Sequence, residues 1–420
     1  GHCQRAVLRE AQAFKGMVTD RDGFCIESIS SVHGSQVVLP SFRNAYFNFS
    51  LHLLPMKLKL FLISCLSTAF CFSQNRQETK RYTLDASQFY GSVLLHNTDI
   101  SHLITNHPGG FILGYNKKTY GEEEWQQLFN YPDTGFSFVY QNMNSSTLGE
   151  NYGLYAHYNF YFFKRNLQFR LGQGIAYNTN PFDKNRNFRN NAYGSHFLSS
   201  TYLMLNYHKE NIFKGLGLKA GLTLIHYSNA NVTAPNTSTN TMALNVGLTY
   251  DLDGGQERDY IKTEKLKVSE PIKLNLAFRS GINESDVVDS GQYAFYIFSA
   301  YMDKRFTRKS ALQFGADVYF SNFLKELIRY QSIAFPEYGV QADDDYKRVG
   351  LFLGHELFVN KMSVIAQLGY YVYYPFDFEG KVYNRIGLKR YFSEKVYGAI
   401  TLKSHGAKAE AVEFGVGVRL

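Results

Sequence analysis

The sequence predicts an all-β fold, an antiparallel transmembrane β-barrel of about sixteen strands. Aromatic residues make up 16% of the 420 residues, with 35 Phe and 32 Tyr, whereas charged residues reach only 19%. No run of about 18 apolar residues occurs, which disfavours a helical membrane protein. After residue 80, apolar and polar residues alternate repeatedly. This composition excludes a disordered chain, and a tyrosine-rich soluble β-sandwich is the alternative.

Residues 56–73, MKLKLFLISCLSTAFCFS, have the pattern of a secretory signal peptide. Two lysines precede an apolar stretch that is too short to span a bilayer, and Ser73 marks the expected cleavage position. Because a signal peptide belongs at an N-terminus, we expect residues 1–55 to be translated upstream sequence or the result of a wrongly placed start, and we build no function on them. The exported protein then begins near residue 74.

The alternation of apolar and polar residues predicts the strands. Along residues 152–162 the even positions carry Tyr, Leu, Ala, Tyr, Phe and Phe, and the odd positions carry Gly, Tyr, His, Asn and Tyr. Successive side chains of a strand point to opposite faces, so one face suits lipid and the other a polar lumen. We expect such strands near 82–94, 110–117, 134–143, 150–164, 166–178, 195–208, 214–228, 241–253, 270–282, 291–306, 309–321, 346–360, 362–374, 381–392, 394–404 and 409–420.

The connections between these segments indicate an orientation and two halves. Those after even-numbered strands are mostly tight, whereas those after odd-numbered strands include the long ones, 95–109, 179–194, 229–240 and 322–345. Short periplasmic turns and long outer loops are typical of outer-membrane barrels, so odd-numbered strands should run outward. The charged residues 254–269 have the composition of a linker between weakly similar halves, 82–253 and 270–420. Eight strands suffice for a filled barrel, so the halves form either two tandem barrels or one large barrel.

Cysteine positions and net charge exclude several classes of function. The four cysteines are Cys3, Cys25, Cys65 and Cys71, so the exported part has neither a disulfide framework nor a Cys-based metal or redox site. The net charge of +8 comes without a long Lys/Arg run, which argues against a nucleic-acid partner. Scattered histidines show no metal-ligand spacing, and no motif suggests a cofactor.

A polar cluster interrupts the apolar face of the seventh strand. The even positions of residues 214–228 form an apolar stripe that ends in His226 and Ser228, so both side chains should face lipid at the outer end of the strand. Asn240 falls in phase with the apolar face of the next strand. Polar groups facing hydrocarbon are costly without a partner or a function. A Ser beside a His is the minimal nucleophile–base pair for acyl transfer, and Asn229 is placed to donate to an oxyanion; ordinary interface residues are the alternative.

The stretch His226-Tyr227-Ser228-Asn229-Ala230, followed by Pro235-Asn236, resembles the active-site region of PagL-type lipid A 3-O-deacylases, the acyloxyacyl hydrolase family. The resemblance covers residues 82–253 and is strongest over 220–250. It implies an eight-stranded outer-membrane barrel that removes an ester-linked acyl chain from lipid A with a Ser-His-acid set. By this resemblance Ser228 is the nucleophile, His226 the general base and Asn229 an oxyanion contributor.

The sequence departs from that family pattern at one position. The family has a Glu shortly after the Pro-Asn pair, and the nearest counterpart here is Asn240, with no Asp or Glu in residues 211–250. An amide can orient an imidazole but cannot balance an imidazolium charge. Either the chain works with a set of Ser228, His226 and Asn240, or its activity is reduced or lost. The second half lacks the His-x-Ser pattern, and we expect its site to be degenerate.

A neighbouring outer loop carries Lys184, Arg186 and Arg189, which are placed to meet the phosphates of a glycolipid headgroup; a solvated loop with ordinary charges is the alternative. The resemblance therefore implies an outer-membrane esterase that acts on lipid A or lipopolysaccharide, and no motif suggests a cofactor. The alternative function is a non-catalytic outer-membrane barrel, either a channel or a binding protein, with a relic site.

Overall fold

The computed structural model describes residues 81–256, 259–263, 268–406 and 408–420, so the predicted signal peptide 56–73 and the segment 1–55 lie outside the described residues. The described residues contain sixteen strands, and each predicted strand is present with its ends shifted by a few residues. In chain order they are β1 Tyr82–Val93, β2 Gly109–Lys117, β3 Asp133–Asn142, β4 Glu150–Phe162, β5 Leu167–Asn178, β6 Phe197–Phe213, β7 Leu216–Ser228, β8 Thr239–Asp251, β9 Lys273–Asn283, β10 Tyr293–Arg305, β11 Ser310–Ser321, β12 Arg348–Val359, β13 Met362–Tyr373, β14 Val382–Tyr391, β15 Val396–His405 and β16 Lys408–Arg419.

The strands close into two separate antiparallel barrels, β1–β8 and β9–β16. In the first barrel β1 pairs with both β2 and β8, and in the second β9 pairs with both β10 and β16. Of the two arrangements that the sequence left open, the structure has the tandem one. Closure gives each of these strands two partners, so its backbone N–H and C=O groups are paired on both sides.

Alternation along the strands sorts the side chains as predicted. In β4, Leu154 is 70% exposed on the outside of the barrel, whereas Tyr155 and His157 are buried in the lumen. In β16, Phe414 and Val416 are exposed and Glu413 is buried. Aliphatic residues and many aromatic residues therefore form the exterior of both barrels, and polar residues and buried tyrosines point inward.

A buried ion-pair network fills the lumen of the first barrel. Arg170 Nη2 donates to Asp85 Oδ2 at 2.7 Å, and Lys219 Nζ donates to the other oxygen of the same carboxylate at 2.5 Å. The Arg170 Nε atom also donates to Asn159 Oδ1 at 2.6 Å. Desolvating charges is costly unless they are paired and hydrogen-bonded, and here each charged group has such partners.

Tyrosine rings pack beside this network, and a glycine makes room for one of them. A Cβ atom on Gly172 would lie 2.2 Å from the Tyr202 ring, so no larger residue fits there without a shift. Tyr202 packs edge-on against Tyr155, with ring centroids 4.9 Å apart. Side chains thus span the lumen of the first barrel.

The lumen of the second barrel holds a larger set of buried charges. Arg385 binds Asp317 at 2.8 Å and Glu413 at 2.6 Å, and the side chains of all three residues are fully buried. Arg348 and Lys403 each bind Glu410 at 2.6 Å. Lumens filled in this way disfavour the channel alternative.

Two α-helices lie in connections between the predicted strands. The short helix α1, Glu124–Leu128, follows β2, and α2, Asn322–Ala334, follows β11. Helix α2 buries Phe323, Leu324 and Ile328 on one face, a helical spacing that was visible in the sequence. Of the helices that the structure describes, none has the length and apolar character needed to cross a bilayer.

The substitution Asp85→Ala should lower the free energy of unfolding of the first barrel by about 3–5 kcal/mol, because Arg170 and Lys219 would stay charged and buried without their shared partner. Urea unfolding of the protein in lipid vesicles, followed by fluorescence of the single tryptophan, Trp125, measures this change. The matched variant Asp99→Ala, at an exposed position between β1 and β2, should leave the unfolding midpoint unchanged. Equal midpoints for the two variants would contradict the role of the Asp85 network.

Candidate active site

His226 and Asn240 are direct cross-strand partners on β7 and β8. The His226 Nδ1 atom lies 2.8 Å from Asn240 Oδ1, within hydrogen-bond distance. Both side chains are half-buried and occupy outward-facing positions, in phase with exposed Leu222 and Leu244. The structure thus brings His226 and Asn240 together at the end of the barrel where β7 ends and β8 begins.

Ser228 is the last residue of β7 and is 5% exposed. Its hydroxyl oxygen accepts a hydrogen bond from the Ala230 backbone N–H at 2.9 Å and donates to Asn236 Oδ1 at 3.1 Å. Among the hydrogen bonds of the described residues, the Ser228 hydroxyl is thus committed to the following loop rather than to the His226 ring. Residues 226 and 228 share a strand face, so a rotation of the Ser228 side chain is the change that would bring the hydroxyl toward the imidazole.

The residues after Ser228 form a compact loop, 229–238, which we call the site loop. Asn229 is 4% exposed, and its side chain donates from Nδ2 to the Thr233 carbonyl at 2.6 Å and accepts at Oδ1 from the Asn231 N–H at 3.1 Å. Its backbone N–H donates to Asn236 Oδ1 at 2.9 Å. Asn236 therefore joins Ser228 and Asn229 through a single oxygen. The sequence analysis quoted Asn236 within a motif but gave it no role.

The loop that carries Lys184, Arg186 and Arg189 lies exposed between β5 and β6. Backbone N–H groups of Arg186 and Asn185 donate to the Asp183 carboxylate, and they hold the pKa of Asp183 below its usual value. Lys184 forms an ion pair with Asp289 of the second barrel. Within the described part of the chain, Arg186 and Arg189 have no ion-pair partner, so their charges face solvent.

A row of polar side chains crosses the outside of the first barrel at the level of His226. Gln173, Thr201, His226 and Asn240 are successive cross-strand partners on β5, β6, β7 and β8. The Thr201 hydroxyl donates to Gln173 Oε1, and Gln173 Nε2 donates to Ser199 Oγ at 3.3 Å.

The surroundings of this polar row are apolar, since Ile175, Leu222 and Leu244 on the same exterior surface are 64%, 47% and 70% exposed. Gln173 and Thr201 were missed by the sequence analysis. The sequence signal that could have identified them was a polar residue at an outward-facing position of β5 and of β6.

The second barrel has a different arrangement at the corresponding place in β15. Lys403 is buried in the lumen on Glu410, and His405 Nε2 lies 2.7 Å from the same carboxylate. The two side chains belong to the lumen network with Arg348 rather than to an exterior cluster. In the described residues, no group of three or more His, Cys, Asp or Glu side chains is arranged to hold a metal ion.

The fold first defines a class: a tandem protein of two closed eight-stranded barrels, with a polar cluster on the outside of the first. Residues 109–249 match the family model described as lipid A 3-O-deacylase (PagL), and residues 272–420 match the model described as the C-terminal domain of acyloxyacyl hydrolase. The chain belongs to this family of PagL-type lipid A 3-O-deacylases, as its sequence motif predicted. Membership supports a hydrolase that acts on lipid A and points to the outer membrane.

Other comparisons add little. No curated protein matches the sequence. Solved structures that resemble the chain include a double mutant and a triple mutant of the Rhodopseudomonas blastica porin. Each is 11% identical, and each match covers 81% of this chain and 100% of the porin, with TM-scores of 0.18 and 0.17. Likeness at this level carries no argument about this protein.

Proposed function

We propose that the protein is an outer-membrane esterase that removes an ester-linked acyl chain from lipid A in the outer leaflet. The observation that carries the proposal is the hydrogen bond between His226 and Asn240 on the exterior face, two residues before Ser228. Acyl chains of a membrane lipid lie alongside the barrel wall, so a nucleophile on the exterior reaches an ester without substrate entering the filled lumen. The apolar exterior of the strands supports a membrane location.

In the proposed reaction the Ser228 hydroxyl attacks the ester carbonyl carbon, and His226 Nε2 accepts the hydroxyl proton. The tetrahedral intermediate then expels the sugar oxygen, which receives that proton from His226, and an acyl-Ser228 ester remains. Water, deprotonated by His226, attacks this ester and releases the fatty acid. Protons and bonds balance over the two steps, and no cofactor is required.

We assign Asn240 the role of orienting His226. When Nδ1 carries its proton and donates to Asn240 Oδ1, Nε2 keeps its lone pair for the proton of Ser228. An amide lacks the negative charge that stabilises imidazolium, so this set should work more slowly than one with a carboxylate.

We assign Asn229 to the oxyanion. Its Nδ2 atom has two hydrogens, and the Thr233 carbonyl takes one of them. The second is the donor that we assign to the developing negative charge on the ester oxygen. Since the backbone and side chain of Asn229 are both anchored in the site loop, this donor would be held in place before the reaction.

Two other groups of residues would bind the substrate. Lys184, Arg186 and Arg189 supply positive charge for the phosphates of the lipid A headgroup. The polar side chains of Gln173 and Thr201 would bind the amide and hydroxyl groups that flank an ester in the glycolipid, because they present donors and acceptors at the level of His226 on an otherwise apolar wall.

A non-catalytic barrel with a relic site is the second candidate, and the amide at position 240 is the observation that favours it. The experiments below separate the two candidates, because a relic leaves lipid A unchanged whatever stands at position 228.

Expression of the protein in a bacterial outer membrane should remove one acyl chain from lipid A, and Ser228→Ala should abolish the removal, because the nucleophile is lost. Mass spectrometry of extracted lipid A measures the conversion. Ser146→Ala, an exposed serine in another loop of the same barrel, serves as the matched control and should retain activity. Unchanged lipid A from the wild type, or equal conversion by Ser228→Ala, would reject the esterase.

The substitution Asn240→Glu should raise the turnover number about 10-fold or more, because a carboxylate stabilises the imidazolium that forms at His226. The substitution Asn240→Leu should lower it by a similar factor, since the imidazole loses its orienting partner. Initial rates of fatty-acid release from lipid A in mixed micelles measure both changes. Equal rates for the two variants would show that residue 240 does not act through His226.

The substitutions Gln173→Leu and Thr201→Val should each raise KM for lipid A about 3- to 10-fold, the equivalent of one hydrogen bond, with little change in kcat. Gln88→Leu is the matched control, because Gln88 is an exposed glutamine on the outside of β1 that lies outside this row. Rates over a range of lipid A surface concentrations give both constants. A KM that rises as much in the control would remove Gln173 and Thr201 from the substrate site.

A further inference from the structure

The segment 284–292, which connects β9 and β10 in the second barrel, lies against the site loop of the first barrel. The Glu284 backbone N–H donates to the Asn231 carbonyl at 2.9 Å, and Glu284 Oε2 accepts from the Ala234 N–H at 2.8 Å. Gln292 Nε2 donates to the Val232 carbonyl and to Thr233 Oγ1, both at 2.8 Å. Two residues of one barrel therefore make four hydrogen bonds to consecutive parts of a loop in the other.

Glu284 is buried within this contact between the two barrels. The residue is 4% exposed, and Ala234, whose N–H it binds, is 5% exposed. Its second carboxylate oxygen, Oε1, accepts from the Gly291 N–H of its own segment at 3.1 Å. A buried carboxylate is costly unless donors surround it, and hydrogen bonds to an ionised acceptor are stronger than neutral ones. The two backbone N–H groups thus fix the position of Glu284.

The contacted residues are the ones that hold the catalytic candidates. The Thr233 hydroxyl accepts a hydrogen bond from Gln292, and the Thr233 carbonyl accepts one from the Asn229 side chain. Ala234 lies two residues before Asn236, whose oxygen binds both the Ser228 hydroxyl and the Asn229 N–H. A short chain of hydrogen bonds and covalent bonds therefore runs from the second barrel to Ser228.

We propose that Glu284 and Gln292 of the second barrel are positioning residues for the active site of the first. This proposal rests on the proposed esterase function, and it gives the second barrel a role in that reaction although that barrel lacks the His-x-Ser pattern at the end of β15. The ion pair between Lys184 and Asp289 joins the same segment to the loop that we assign to the lipid phosphates. The segment 284–292 of the second barrel thereby contacts both the site loop and the loop that carries Lys184.

The expected effect is on catalysis and not on binding. Small displacements of a reacting group cost large factors in rate, and about 1 Å can cost about 100-fold. Loss of the two bonds that the Glu284 carboxylate accepts, from Ala234 and Gly291, should let the site loop shift. Glu284→Ala should therefore lower kcat about 10- to 100-fold with KM nearly unchanged. Glu284→Gln keeps one acceptor oxygen and should recover part of this loss.

The test uses the full chain, purified in detergent with lipid A micelles, and compares kcat and KM for the wild type with those of Glu284→Ala, Glu284→Gln and Gln292→Ala. Gln292 is exposed, so its replacement leaves folding intact and should lower kcat about 3- to 10-fold, as expected for lost hydrogen bonds. Gln341→Ala is the matched control, because Gln341 is an exposed glutamine of the second barrel that bonds within its own loop. It should match the wild type.

The outcomes separate this proposal from the one on which it rests. If Ser228→Ala abolishes release of fatty acid but both Glu284→Ala and Gln292→Ala keep the wild-type kcat, the positioning role is wrong and the esterase stands. If Ser228→Ala equals the wild type, the esterase itself is wrong. If Glu284→Ala does not fold, the test is the kcat of Gln292→Ala compared with that of Gln341→Ala. A lower kcat for Gln292→Ala supports the positioning role, and an equal kcat overturns it.

Discussion

In a closed eight-stranded barrel every strand has two partners, so each side chain points either into the lumen or out of the wall. This constraint sorts the whole protein. Charged residues such as Arg170 and Asp85 face inward and must pair, because their side chains are buried in the lumen. His226 and Asn240 face outward at the same level of adjacent strands, so the bond between them lies on the exterior wall.

Much of the fold could be predicted because that same constraint leaves a period of two in the sequence. The alternation in β4 and β16 was sufficient to locate strands and their faces. Closure was harder to predict, because no local sequence pattern determines whether β1 pairs with β8 or with β16. That pairing distinguishes two barrels from one. Helix α2 was missed because a long loop was expected, although its apolar residues have helical spacing.

The candidate site was predictable only in part, because strand periodicity relates only residues that are close in sequence. His226, Ser228 and Asn240 lie within fifteen residues of one another, and strand periodicity relates them directly. Partners that come from elsewhere in the chain could not be found in this way. Gln173 lies at the level of His226 because of the pairing register of β5, β6 and β7. Glu284 of the second barrel binds the Ala234 N–H of the site loop.

The central claim is that Ser228 is a nucleophile activated by His226 on the exterior of the first barrel. The most direct measurement treats the purified protein with a serine-directed fluorophosphonate and maps the adduct by peptide mass spectrometry. We expect the adduct on Ser228 in the wild type and none in a His226→Ala variant, since the hydroxyl then lacks its base. An adduct on another serine, or labelling of Ser228 that is unchanged by His226→Ala, would contradict the account.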